Sequence, residues 1–183
     1  MMRFLFAALV FPVAAHALQV GDAVLPDQWA INGRALMLNG AGLREYGFLK
    51  IDVYAAALYL SAKMTDERQV LASTAPRVLH MHFFRNVSRD DTLKAWDHYF
   101  AENCKFSCSL PQQEIAAFKQ LVPETVAGDT QTWVFQAGTA ELLRNGISVG
   151  RVQGTAFSRL LLSTWIGDVP STAELKSALL GGK

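Results

Sequence analysis

The sequence has only two cysteines, and neither sign of charge dominates it. Its 17 Lys and Arg stand against 16 Asp and Glu, a formal net charge of +1. A chain so balanced carries no electrostatic footprint for nucleic acid or for an anionic membrane. Two cysteines fall short of the four ligands that a structural zinc site wants. There is no G-x-G-x-x-G opening a helix, no P-loop, no G-x-S-x-G elbow and no H-E-x-x-H pair, so no cofactor and no metal is expected. The chain shows no repeat with a period of about 20 to 50 residues and no low-complexity tract or linker.

The first seventeen residues, "MMRFLFAALVFPVAAHA", join one basic residue to an apolar run from Phe4 to Ala14 and small residues at Ala15 and Ala17. That pattern predicts a secretory signal peptide over 1–17, because the run is too short to span a membrane. Pro12 weakens the competing reading of a buried helix or uncleaved anchor. Residues 18–183 then form a single domain, expected to be periplasmic or secreted, with no transmembrane segment after cleavage. An exported chain meets oxidising conditions, so Cys104 and Cys108 of "NCKFSC" are expected to bond, two free buried thiols being the alternative. So short a loop adds little chain entropy, and the bridge predicts that a helix ends nearby.

Turn chemistry organises the remainder. Asn32-Gly33 in "WAINGRALML" and Asn145-Gly146 between "TAELLR" and "ISVGRVQG" are hairpin signals, and Leu49 to Leu60 reads as one long strand. "RVLHMHFF" is a strand partly covered on both faces, and "DTQTWVFQAG" is another. "TDERQVLAS" is a short helix capped by Thr65. Ser88 and Asp91 form a capping box that opens the helix carrying Leu93, Trp96, Tyr99 and Phe100, and Pro111 opens the next. "TAFSRLLLSTWIG" and "STAELKSALLGG" are helices ended by glycine. About six or seven strands and four or five helices give one α+β domain.

Chemistry is sparse. His80 and His82 share a strand face at a spacing that could hold a metal only with a third ligand from elsewhere, and they read better as a half-buried strand face. More telling is "LNGAGLREYGFLKIDVYAAALYL", which places Arg44 just before the most apolar strand, with Lys50 expected to snorkel to solvent at that strand's start. An arginine drawn into apolar surroundings needs an anion or several acceptors, and its planar fork suits a carboxylate. The bland alternative has Arg44 bridging to Glu45, Asp52 or a backbone carbonyl at the strand end.

"NGAGLR" with its following strand ending in "ALYL", then "RNGISVGRVQG", "AF" and "LLLSTWIGDVPSTAELKSALLG", resembles the chalcone isomerase fold family, in particular its exported bacterial chalcone isomerase-like branch, from about Gln28 to Gly181. The resemblance implies an open-faced β-sandwich, a large antiparallel sheet covered by a layer of helices, with a ligand cleft between them. It also implies one of three activities. Plant members cyclise a chalcone to a flavanone, with the arginine of this motif as electrophile. Others bind fatty acids, holding the carboxylate with the matching arginine and a tyrosine. Others again have no catalysis of their own.

Arg44 falls on the family arginine. Tyr54 falls where the enzymes carry a catalytic threonine, as in the fatty-acid-binding members. Asn103 matches the enzymes' asparagine, Trp96 replaces their catalytic tyrosine, and Thr164 falls on their substrate-specificity threonine, beside Trp165. Arg44, Tyr54, Thr164, Asn103 and Trp96 are therefore the expected ligand-binding residues. No catalytic set is assigned; in an enzyme it would be Arg44, Tyr54, Asn103 and Thr164. The resemblance thus leans away from an enzyme and towards a non-catalytic periplasmic protein for a small amphipathic or aromatic ligand, such as a fatty acid. The alternatives are an isomerase or intramolecular lyase related to chalcone cyclisation, and an accessory interaction module with a closed cleft. An open, apolar pocket lined by Arg44 favours the first two and a filled one the third. Neither a ligand nor a protein partner can be named from the sequence.

Overall fold

The computed structural model describes residues 17–105 and 108–182. Of the segment read as a signal peptide only Ala17 lies among them, where it opens the first strand. Strands β1 (Ala17–Val20) and β2 (Ala23–Pro26) form a small hairpin. Then β3 (Gln28–Ile31), β4 (Arg34–Tyr46), β5 (Ile51–Leu60), β6 (Arg77–Phe83), β7 (Thr130–Gln136), β8 (Thr139–Arg144) and β9 (Ile147–Gln153) make a seven-stranded antiparallel sheet in sequence order. Its hairpins turn where the sequence predicts, with positive φ at Asn32 and Gly33 (48° and 74°) and at Asn145 and Gly146 (51° and 79°).

Five helices complete the described fold: α1 (Glu67–Ala72), α2 (Arg89–Cys104), α3 (Gln112–Leu121), α4 (Thr155–Ile166) and α5 (Ala173–Leu179). Ser88 caps α2 by accepting from the Asp91 amide. The cap of α1 is Asp66 rather than Thr65: its carboxylate accepts from Arg68 N at 2.8 Å, since an Asp side chain one residue closer reaches the open amides. Cys104 and Cys108 form a disulfide at the C-terminal end of α2, where the helix stops.

The apolar run in β5 follows from burial on both faces. Ala56, Leu58 and Leu60 join Leu79, Met81, Trp133 and the helices' Phe100, Phe118, Phe157 and Leu161 in the main core. Ala55, Ala57 and Tyr59 pack on the opposite face with Leu36, Val78 and, from the small hairpin, Ala23 and Leu25. A strand covered on both sides loses the polar alternation of an open one. His80 and His82 lie on that second face. There His80 Nδ1 is 2.8 Å from Thr132 Oγ1 and its ring packs 4.9 Å from that of Trp29, while the His82 ring meets Phe84, as suits a half-buried strand face. Burial, then the charge of His82, pushes the His80 imidazole down to about 4.

Two bulges interrupt the β4–β5 ladder, one at Leu38/Gly40 and one at Arg44/Glu45. The first sets Asn39 out of register, and its buried side chain takes three bonds: to the Leu179 carbonyl at 2.8 Å, and to the Met64 carbonyl and amide at 2.9 and 2.8 Å. Asn39 thereby pins the end of α5 and the loop before α1 to one strand. At the far end of this hairpin Lys50 is exposed to solvent, as expected, and lies 3.8 Å from Glu45. Both partners are partly exposed, which makes the pair worth little energetically.

Candidate functional site

In β4, Gly40, Gly42 and Arg44 alternate onto one face of the sheet, the face that the helices cover. The glycines are expected to ease a tight turn. The structure gives them another role: they sit in mid-strand, where a Cβ on Gly40 would overlap the Ala178 carbonyl oxygen and one on Gly42 would stand 2.6 Å from Ala178 Cβ. They let α5 lie directly on the strand. Two residues further on, just past this contact, the same face carries Arg44.

Arg44 pairs in register with Tyr54 of β5, so both side chains project on the helix side. One guanidinium N–H donates to the carbonyl of Glu45, the strand-end bridge that the sequence leaves open. Among the described residues no carboxylate pairs with Arg44. Its remaining donors therefore keep capacity for an anion.

Around Tyr54 the side chains come from distant parts of the chain. Trp165 of α4 donates its indole N–H to the Tyr54 hydroxyl at 3.1 Å, and the Tyr54 ring packs 5.1 Å from that of Phe83. Burial raises the Tyr54 pKa. The Trp165 bond, the nearby Arg44 charge and the Ser171 hydroxyl oppose that rise without cancelling it. Tyr54 thus keeps its proton at neutral pH. With Trp165 filling an acceptor position, that proton points the tyrosine towards a donor's role. Ser171 Oγ is close enough to act on the Tyr54 charge, yet it is buried and outside hydrogen-bonding geometry with any protein group.

The other expected residues shape this site from behind. Thr164, buried in α4, gives its hydroxyl to the Leu161 carbonyl at 2.8 Å, while its own carbonyl accepts from Ser171 N at 2.8 Å. Asn103 ties α2 to the loop after α4: its amide donates to Val169 O at 2.7 Å and to Tyr99 O at 2.9 Å, and its oxygen accepts from Val169 N at 3.1 Å. Trp96 meets Trp165 edge-on with ring centroids 5.1 Å apart, and packs against Phe100 and Phe118. The structure thus brings Arg44, Tyr54 and Trp165 together, with Trp96 behind the indole. Asn103 and Thr164 hold the covering loop. Sequence reasoning missed Ser171, and with it Tyr99, whose hydroxyl donates to Ser171 O at 3.4 Å. A lone serine in a loop after Pro170 carries no signal of its own.

Behind Tyr54 lie the rings of Trp165 and Trp96. Trp165 is 2% exposed, and two cavities, of about 670 and 260 Å³, lie at the other end of the sheet, lined by neither Arg44 nor Tyr54.

An antiparallel meander with one helix-covered face, and an arginine–tyrosine pair beneath that cover, defines an open-faced α+β protein with its polar groups between sheet and helices. The chain belongs to the chalcone isomerase-like family, whose model matches residues 17–181. Among solved structures it is similar to a fatty-acid-binding protein of Arabidopsis thaliana, at a TM-score of 0.72 and 16% identity over 90% of this chain and 96% of that one. At this identity the likeness is one of fold. Among curated proteins, none matches the sequence.

Proposed function

We propose that this chalcone isomerase-like protein binds a small amphipathic carboxylate, such as a fatty acid, without catalysis, and that it works in the periplasm or outside the cell. The observation that carries the reading is the pairing of Arg44 with Tyr54 on the helix-covered face, where Arg44 has no carboxylate partner and Tyr54 keeps its proton. A carboxylate there would take the guanidinium on one side and the phenol on the other. Its tail would have to displace Trp165 and Trp96, whose apolar surface would then line it, at roughly 25 cal/mol per Å² buried. The leader-like N-terminus and the Cys104–Cys108 disulfide support export.

Native mass spectrometry of protein purified from the periplasm should find a long-chain carboxylate bound, on a chain shortened by the leader. Arg44→Ala should abolish that binding while leaving the melting temperature nearly unchanged. Unaltered binding removes Arg44 as the anchor. A specific observation favours a second reading, an accessory module with a closed cleft: Trp165 and Trp96 occupy the space behind Tyr54. Absence of any co-purifying or added carboxylate on the native chain would promote it. Enzymatic cyclisation is disfavoured because Trp96 offers no phenolic hydroxyl; chalcone turnover lost on changing Arg44 would reverse that judgement.

A further inference from the structure

The opposite end of the sheet holds another cavity lined by buried polar side chains. Arg77 starts β6 opposite Leu60 of β5, while Tyr54 lies opposite Phe83 at the other end of the same ladder. Six residues of strand at about 3.3 Å each separate the two ends by roughly 20 Å. Arg77 is 7% exposed and Ser158, in the first turn of α4, is 3% exposed. Both line the cavity of about 260 Å³, together with Thr155, Arg159, Ser73 and the β7–β8 turn at Gly138.

The polar groups here are only half satisfied. Arg77 Nη1 donates to the carbonyls of Val70 and Leu71 at 2.8 and 3.4 Å, and its guanidinium carbon lies 5.8 Å from the Phe135 ring centre. Those contacts anchor it at the C-terminal end of α1 but leave Nε buried without a partner, and Ser158 Oγ is buried without one too. Burial first, and then the charge of Arg159, lowers the Arg77 pKa, so the two cations act on each other. Among the described residues neither forms an ion pair with a carboxylate. The Glu114 carboxylate comes close to Gly154 but does not line the cavity. Arg77 and Arg159, with Ser158, therefore line one space, and the unpartnered Arg77 Nε–H and Ser158 hydroxyl lie buried in its wall beside the first turn of a twelve-residue helix, the end that carries positive potential.

We propose that this cavity is a phosphate-binding site, taking inorganic phosphate or the phosphate group of a small ester between Arg77, Arg159 and Ser158. Charge and shape select the ligand. A tetrahedral anion offers oxygens to Arg77 Nε, to the exposed Arg159 and to the Ser158 hydroxyl at once, whereas a planar carboxylate is used up by a single fork. The cavity is large enough for the anion and the first atoms attached to it. The Arg44–Tyr54 pair plays no part.

Phosphate titration of the full chain, followed by ¹H–¹⁵N spectra that include the arginine Nε–H signals, tests the assignment. Inorganic phosphate and glycerol 3-phosphate are the probes, with chloride and acetate at matched ionic strength. The expected result is a saturable shift at Ser158 and Arg77, weakened at least tenfold in Arg159→Ala and in Ser158→Ala, and retained in Arg44→Ala. Both substitutions spare the buried Arg77, whose removal would also unpin α1. Tighter binding of the ester marks a phosphorylated small molecule as the ligand, and tighter binding of the free ion marks phosphate itself. Shifts that do not saturate, acetate or chloride matching phosphate, or full affinity in Arg159→Ala would each overturn the assignment.

Discussion

Replacing Asn103 with alanine should loosen the cover of the Arg44–Tyr54 site more than any change to the polar pair itself. The side chain makes two hydrogen bonds to Val169 across 66 residues of sequence, at 2.7 and 3.1 Å. At about 1 kcal/mol net for each, with a further ~1 kcal/mol for the Val169 groups left partly buried and unpaired, the loss comes to roughly 2–3 kcal/mol. For a domain of this length that corresponds to a fall of roughly 5–10 °C in Tm. Urea unfolding followed by tryptophan fluorescence should show a lower midpoint at an unchanged m-value. Asn103→Asp keeps an acceptor for Val169 N but sets a negative charge against the Val169 and Tyr99 carbonyls, so it should be no better than alanine at neutral pH. A loss below about 0.5 kcal/mol in Asn103→Ala would refute the reasoning. It would show that the 167–171 loop is held by Lys176 Nζ on Gly167 O at 2.9 Å, by Ser171 N on Thr164 O and by the Tyr99 hydroxyl on Ser171 O, without help from Asn103.

Acid should weaken the fold through His80: with its imidazole held down at about 4 in the folded chain against an ordinary 6.5, the unfolded chain takes up the proton first. The stability present above pH 6.5 is then lost as pH falls towards 4, by up to about 3 kcal/mol, a slope that His80→Gln should flatten in urea midpoints taken between pH 7 and 4.5. Gly40→Ala should cost about 3 kcal/mol, because the new methyl meets the backbone oxygen of Ala178, which cannot swing aside. Gly33→Ala, with nothing within 4 Å and only a left-handed φ of 74° to strain, should cost about 1 kcal/mol; equal melting temperatures for the two would show that α5 does not need the bare strand.

What could be read in advance divides by range along the chain. The Asn-Gly hairpins, the Ser88 cap and the helices of the second half rest on neighbours a few residues apart, so periodicity and turn chemistry reveal them. The small hairpin escaped the sequence reading although Gly21-Asp22 is a turn signal, because in sequence its first strand follows directly on the apolar stretch read as a signal peptide. Arg44 and Tyr54 were singled out through the family pattern, but their pairing was not, because the glycines read as a turn and hid the strand that carries Arg44. The rest of the site was not legible, for a physical reason. Whether Asn103 faces a ligand or a loop is decided by Val169, 66 residues away, and the significance of Ser171 is decided by Tyr54 on another layer. The glycines beside Arg44 suggested a turn because sequence shows the missing Cβ but not the helix that fills its place.

That helix also sets an order of assembly. Arg44 and Tyr54 leave the ribosome more than a hundred residues ahead of the Trp165 and Ser171 that cover them, and the bond from Asn39 to Leu179 closes a span of 140. Contacts of such reach carry a loop-closure cost that the neighbouring strand pairs of the sheet do not, which favours forming them after those pairs. Until α5 settles on the bare backbone of Gly40 and Gly42, the charged end of β4 is open to water and to whatever anion it meets. The Arg44–Tyr54 surface is thus at its most accessible in a chain whose sheet is finished and whose last helix is not.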